Sequence, residues 1–355
     1  MTGHAHVESL YRDAHALSSE SGNMADTVLG GGDTAAGRML VVSDGPRHLS
    51  LRQLLGSGFS PRGLRPVEAA ITRATAIAVD RAVARGTVDF AGDVAAVIPL
   101  TAICELLAVP EKDRAEILRL TATAMSSDRS HDGGVGAKIA QGELLQYYAR
   151  VAAERRSTPG DDIVSMLARA DVAGGPLTDQ ELLLNCYNLI IGGDETARLS
   201  IATGLLALLE HPAQLTAIRR DPSLLATAVE EILRWTTPVT HVARRAVRDL
   251  TVAGRSIRRH DPVILWNVAA NRDPAVFARP DAFEVARTPN RHVTFGAGRH
   301  YCLGASMARL ELRLLLQTLL RRAGRIDLAG EVSWIRSNFL SGVSRLPVRM
   351  TGVQE

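Results

Sequence analysis

Between Thr178 and His211 the chain runs for 32 residues without a proline, DQELLLNCYNLIIGGDETARLSIATGLLALLE, and no other stretch limits the possible folds as much. Thr178 with Glu181 makes a capping-box start, and His211-Pro212 makes a stop. At about 1.5 Å per residue the helix between them is roughly 48 Å long, enough to cross a whole domain. It is not expected to span a membrane, because Asn185, Asn188 and the block Asp194-Glu195-Thr196 interrupt its apolar run. Two adjacent glycines, Gly192 and Gly193, sit in its middle. Each costs about 1 kcal/mol relative to alanine in a helix interior. Two reasons fit such a defect. One is close packing against another helix. The other is a groove where the helix opens over a ligand and a threonine leaves the i−4 ladder.

Helical patterning also covers 93–107, Glu111–Met125, 142–156 and 223–235. From Pro238 the pattern changes to short β-type runs separated by Gly254 and His260-Asp261-Pro262. A further helix, ASMARLELRLLLQTLLRRAG, stops at Gly324, and the tail is strand-like again. The expected fold class is mainly α with a small β portion (α+β). One domain over 1–355 is expected, helix-rich at about 40–235 and 300–325 and β-rich at about 238–295 and 330–350.

Composition narrows the function. Apolar residues are 46% and charged residues 22% of 355, as in ordinary globular chains. Three cysteines, Cys104, Cys186 and Cys302, form no CxxC pair, which argues for a reducing compartment and against zinc-ribbon or iron–sulfur sites. No secretory signal pattern opens the chain, so a cytoplasmic location is expected. Net charge is +3, the arginines are scattered, and aromatics are only 4%, so nucleic acid is not the expected partner. A mildly basic face still suits an acidic protein partner.

The stretch HVTFGAGRHYCLG (292–304) places Cys302 among glycines just ahead of a strong helix. Free N–H groups and the dipole at a helix start favour a thiolate. Gly296, Gly298 and Gly304 let the backbone turn tightly and leave room beside the sulfur. A rigid thiolate with space alongside suits an axial haem ligand. Cys104 and Cys186 lie in apolar helices and are expected in the core.

At FGAGRHYCLG the sequence resembles the haem-binding loop of the cytochrome P450 monooxygenases, FGxGxHxCxG, at all six fixed positions. The resemblance extends over about 7–350 and implies the P450 fold with haem b (iron protoporphyrin IX) as cofactor. It implies that Cys302 is the iron ligand, that Phe295 packs near the sulfur, and that His300 bonds a haem propionate. GGDET resembles the family's oxygen-activation segment. This puts Gly192 beside the cofactor, with Glu195 and Thr196 relaying protons to dioxygen and Asp194 pointing elsewhere. Splitting O–O needs two protons delivered in a dry pocket, which suits a positioned acid and hydroxyl. The segment 44–64 resembles the family's propionate-binding helix and offers His48 and Arg52; RRAVRD offers Arg244; 270–277 is a further match. The family's Glu-x-x-Arg pair occurs four times, as Glu116/Arg119, Glu195/Arg198, Glu231/Arg234 and Glu284/Arg287. Context selects Glu231/Arg234, as a structural lock.

The resemblance departs at the front, where family members carry several tens more residues. Here VESLYRDAHALSSESG already reads as the helix that follows them, so either the true start lies upstream or the fold is shortened; if it is shortened, the strand near 262–267 is expected to lose partners. The implied function is O2-dependent hydroxylation or epoxidation of a mainly apolar small molecule, such as an intermediate of natural-product biosynthesis. Electrons would come from a ferredoxin-type donor with its reductase, and the chain would act as a monomer. A peroxide-using or non-oxidative haem-thiolate enzyme and a non-catalytic haem sensor are the alternatives. Residues around 30–39, 125–136 and 190–191 are expected to line the substrate pocket.

Overall fold

A computed structural model describes residues 1–125 and 134–353. The long helix runs over Asp179–Glu210 with its capping box formed. Thr178 Oγ1 accepts from the Glu181 N–H at 3.2 Å, and the Glu181 carboxylate accepts from the Thr178 N–H at 2.8 Å. Helices Val97–Leu106, Glu111–Met125, Val135–Ser157 and Leu225–Thr236 pack around it. Cys104 and Cys186 are buried in this core, as expected. Among the described residues no single helix is long and apolar enough to cross a membrane. Only the long helix joined to Pro212–Arg220 across a 98° bend reaches such a composition.

Four helices differ from the sequence pattern. The segment 93–107 opens as a π-helical turn, Ala91–Ala95, that runs into Val97–Leu106. The helix expected at 142–156 begins earlier, at Val135, and the one expected at 223–235 begins as a 3₁₀ turn, Pro222–Leu224, before Leu225–Thr236. At the front the expected helix is only His4–Arg12. Leu17–Ser18 is instead a strand, paired with Ala246 and Arg245.

That strand, His241–Ala246 and Pro262–Trp266 form a three-stranded antiparallel sheet in that order. The expectation that the 262–267 strand loses its partners is corrected. It pairs over five residues with His241–Ala246. On its free edge the Met1 amino group donates to Ile264 O at 2.7 Å, and the Trp266 N–H donates to Met1 O at 2.9 Å. Around this sheet Val7, Leu10, Tyr11, Val263, Leu265 and Val293 make a second apolar cluster. A second sheet, Thr87–Asp89 with Pro347–Gly352 and Ala323–Leu328, flanks the helices.

Two polar clusters join the helices to the segment that carries Cys302. In the first, Glu231 and Arg234 are fully buried and Arg287 nearly so. Arg234 donates to both Glu231 oxygens at 2.7 and 2.8 Å and to the carbonyls of Asn271, Pro280 and Ala282. Arg287 approaches the same carboxylate at 3.1 Å and donates to the carbonyls of Ala278, Arg279 and Ala282. Glu231 also accepts from the Glu284 N–H and Asn290 Nδ2. The selected pair is therefore structural, with Arg287 as a third member. Glu116/Arg119, by contrast, is an exposed pair. In the second cluster Glu230 holds Arg309 at 2.7 and 2.8 Å and His292 at 3.1 Å. Arg309 in turn lies over the Phe295 ring at 4.7 Å and donates to Tyr301 Oη.

Two outcomes follow. Glu231→Ala leaves the buried Arg234 guanidinium without a carboxylate, while Arg287 keeps Glu284, and should cost about 3–5 kcal/mol in urea unfolding. Glu116→Ala should leave the midpoint unchanged. Glu230 is set by burial, which raises its pKa, against Arg309 and His292, which bring it down to about 2. Its contribution to stability is then complete above about pH 4.5, the unfolded value, and is lost as pH falls toward 2. Unfolding followed against pH should show a loss on the order of 2–3 kcal/mol in that window after allowance for solvent screening, and Glu230→Gln should abolish that slope.

Candidate active site

The loop 292–304 is positioned from both sides. Behind it Asn271 Oδ1 accepts from the Val293 N–H at 2.7 Å, while its amide donates to Thr237 and Thr294 hydroxyls at 2.9 Å. Inside the loop the Cys302 N–H donates to Phe295 O at 2.9 Å. Gly298 has φ +69°, and a Cβ there would lie 2.4 Å from Tyr11 O, so only glycine fits. The loop ends at Gly304, the N-cap of helix Ala305–Arg322. Cys302 thus precedes a helix start, as its sequence context predicts. Burial pushes its thiol pKa up, while the Gly304 N–H and the guanidiniums of Arg52 and Arg309 oppose that shift. The residue is nonetheless accessible, because its open face borders an internal cavity.

That cavity measures about 340 Å³ and is mainly apolar. His48, Arg52, Gly192, Thr196, Arg244, Phe295 and His300 all border it with Cys302. His48 is fully buried, and neither ring nitrogen has a partner. Burial, then the neighbouring charges of His300 and Arg52, lower its pKa to about 4. Arg244 is buried and makes a 2.8 Å bond to Ala243 O, with no carboxylate among its partners. Arg52 donates to Tyr301 O. His300 stacks on His48 at 4.2 Å and places Nε2 3.0 Å from Ser19 Oγ and 3.1 Å from Asp44 Oδ1. Burial raises the Asp44 pKa, but the bonds from His300, Ser18 and Ser19 outweigh it and hold it at about 2. One carboxylate therefore stands among four basic side chains.

The long helix forms the opposite wall and is continuous through its glycines. A Cβ on Gly193 would come 3.2 Å from Ile103 Cδ1, so that glycine serves helix packing. A Cβ on Gly192 would meet nothing within 4 Å, because it would enter the cavity. Thr196 does not leave the helix ladder. Its hydroxyl donates to Gly192 O, the i−4 carbonyl, at 2.9 Å. Glu195 is not among the lining residues; its carboxylate takes Arg198 at 2.9 and 2.5 Å. Asp194 is buried and off the cavity, as expected, but is not innocuous: Oδ1 has no partner.

The expected pocket lining is partly corrected. Ile191 borders the cavity, but Ile190 faces the core, because successive helix residues turn by about 100°. None of 30–39 lines it; that loop lies on the surface and Asn23, Leu40 and Val41 take its place. Of 125–136, residues 126–133 and the side chain of Met125 lie outside what is described, and residues 134–136 do not border the cavity. Sequence reasoning missed Asn188, one turn before Gly192, and Glu311, fully buried in helix Ala305–Arg322. A signal for Glu311 existed: it shares a helix face with Met307, Leu314 and Leu315.

The architecture and the cysteine loop together define a haem-thiolate enzyme. The sequence profile described as Cytochrome P450 matches residues 135–323. Cytochrome P450 NovI of Streptomyces niveus is 43% identical over 98% of this chain and 86% of its own length. 6-Deoxyerythronolide B hydroxylase of Saccharopolyspora erythraea is 36% identical over 87% and 77%. The crystal structure of P450 OxyD, involved in the biosynthesis of vancomycin-type antibiotics, superposes with a TM-score of 0.91 at 38% identity, covering 99% of this chain and 89% of that one. The chain belongs to the cytochrome P450 family and is a monooxygenase with a haem-thiolate cofactor that takes a small-molecule substrate and electrons from redox partners.

The residues present fit a haem. A thiol faces the cavity, and an orphaned imidazole and a buried arginine without a carboxylate suit the two acidic groups of that cofactor. Gly192 leaves the long-helix wall of the cavity open. Gly192→Ala should therefore stabilise the helix by about 0.5–1 kcal/mol in urea unfolding, while weakening ligand binding over the haem in absorption titrations.

Proposed function

We propose that this chain hydroxylates or epoxidises a mainly apolar intermediate of natural-product biosynthesis, on haem b (iron protoporphyrin IX) held by Cys302. The observation that carries this reading is a single cavity bordered by Cys302, by four basic groups of which only His300 has a carboxylate partner, and by the Gly192–Thr196 wall. When bound, the haem supplies O2 activation and transfer of one oxygen atom. Cys302 ligates it through sulfur, with Phe295 packed beside the loop and Arg309 over that ring. His48, Arg52, Arg244 and His300 form the donor cradle for its carboxylates. The apolar walls exclude water, and the Asn188 amide, which has no hydrogen-bond partner among the described residues, is a polar group open to substrate.

Thr196 presents its hydroxyl to the cavity and passes protons inward once it releases Gly192 O. Glu195 enters that relay by releasing Arg198. OxyD, involved in the biosynthesis of vancomycin-type antibiotics, and the polyketide biosynthesis cytochrome P450 PksS of Bacillus subtilis support the substrate class. The net charge of +3 suits an acidic ferredoxin-type donor served by its reductase. The protein acts as a monomer in the cytoplasm.

A library of apolar compounds titrated against the haem absorption should select ligands that are then oxidised with O2 and a ferredoxin system. Thr196→Ala should lower product formation roughly tenfold or more and divert O2 to hydrogen peroxide. Cys302→Ser should remove the red-shifted absorption of the reduced carbon monoxide complex while the fold is kept. Persistence of that absorption in the variant would sink the assignment of the ligand.

A further inference from the structure

The guanidinium of Arg309 has no task in the scheme above, yet it is locked against the cysteine loop. It stands near the start of helix Ala305–Arg322, with its central carbon 4.7 Å from the middle of the Phe295 ring. One terminal nitrogen donates to Tyr301 Oη at 3.1 Å and to Ala305 O at 3.5 Å. Its other nitrogens donate to the two Glu230 oxygens at 2.7 and 2.8 Å. Tyr301 immediately precedes Cys302, and Phe295 O accepts the Cys302 N–H at 2.9 Å. Glu230 reaches the pair from a different helix, Leu225–Thr236, and its second partner is His292 at 3.1 Å. The cation is thus the end of the ion pair that touches the neighbours of the sulfur. Its charge acts on Cys302 together with that of Arg52.

Both members of the pair keep their charge near neutral pH. The Glu230 carboxyl is held at about 2, and the bond to Glu230 pushes Arg309 above its usual range. The side chains are 34% and 29% exposed, so solvent screens them only in part. Packed on an aromatic face instead of water, a guanidinium also exerts a stronger field.

We propose that Arg309, seated on Phe295, raises the reduction potential of the haem held by Cys302, and that Glu230 trims this effect through the ion pair. The inference rests on the haem-thiolate reading. On reduction the haem takes up one electron from its donor and its charge falls by one unit, with no bond broken and no proton moved. A fixed cation beside the thiolate favours that more negative state. Arg309 touches neither substrate nor reacting atoms and is a positioning residue.

Spectroelectrochemical titration of the haem-loaded, ligand-free protein tests this. Arg309→Met removes the cation and should lower the ratio of reduced to oxidised haem at a fixed applied potential roughly tenfold, which is 59 mV for a one-electron couple. Glu230→Gln leaves the cation uncompensated and should raise that ratio. Each variant breaks the same ion pair, so a merely structural role moves both in one direction. Arg309→Lys keeps the charge and should fall between Arg309→Met and the parent. The red-shifted absorption of the reduced carbon monoxide complex, kept in every variant, reports that sulfur ligation is intact. Shifts of the same sign in Arg309→Met and Glu230→Gln, or no shift in either, overturn the proposal. Should Arg309→Met fail to fold, Glu230→Gln decides: a raised ratio supports the proposal, and a lowered or unchanged one overturns it. A parent without the red-shifted absorption defeats the ligation by Cys302 and this proposal with it. A parent that has the absorption, with variants that do not move, defeats this proposal alone.

Discussion

The buried carboxylate of Glu231 is the interaction on which the rest of the molecule depends. Taking one carboxylate and two guanidiniums out of water costs several kcal/mol per ion. The cost is offset because the donors of Arg234 and Arg287 find the carboxylate and a row of backbone carbonyls between residues 271 and 282. Those carbonyls belong to a stretch with little regular structure of its own. The cluster thus does for an irregular segment what a ladder does for a strand. It satisfies the backbone and fixes its course from the end of helix Leu225–Thr236 to the loop of Cys302.

From that frame the charges divide by wall. On the loop side four basic side chains meet one carboxylate, Asp44, and burial holds His48 neutral. That side calls for an anion. On the helix side the acids are either tied to a cation, as Glu195 is, or forced toward neutrality, as Asp194 and Glu311 are. No free negative charge faces the thiol across the cavity. The thiol itself is raised by burial, so the proposed ligation would be what makes its anion the stable form.

How far the sequence disclosed this depends on whether a feature was local. The bounds of the long helix were readable, because capping and proline termination act within a few residues. The cysteine loop was readable because its chemistry is contiguous, and the structure gathers His48, Arg52, Gly192, Arg244, Phe295 and His300 around it. The Glu-x-x-Arg pair was chosen by context alone; its third member, Arg287, lies 53 residues beyond Arg234 and no local pattern connects them. The loop at 30–39 was misplaced because irregular segments carry no periodicity to say which way they face.

The most instructive failure of local reading is inside one motif. Asp194, Glu195 and Thr196 are consecutive, yet a helix turns each by about 100° from the last. They meet three environments: the core, Arg198 and the cavity. Adjacency in sequence therefore guarantees that the acid and the hydroxyl do not share a face. A relay from Glu195 needs its side chain to swing away from Arg198. Burial adds the second distinction. A paired carboxylate holds no proton to give, and an unpaired buried one can hardly avoid keeping it.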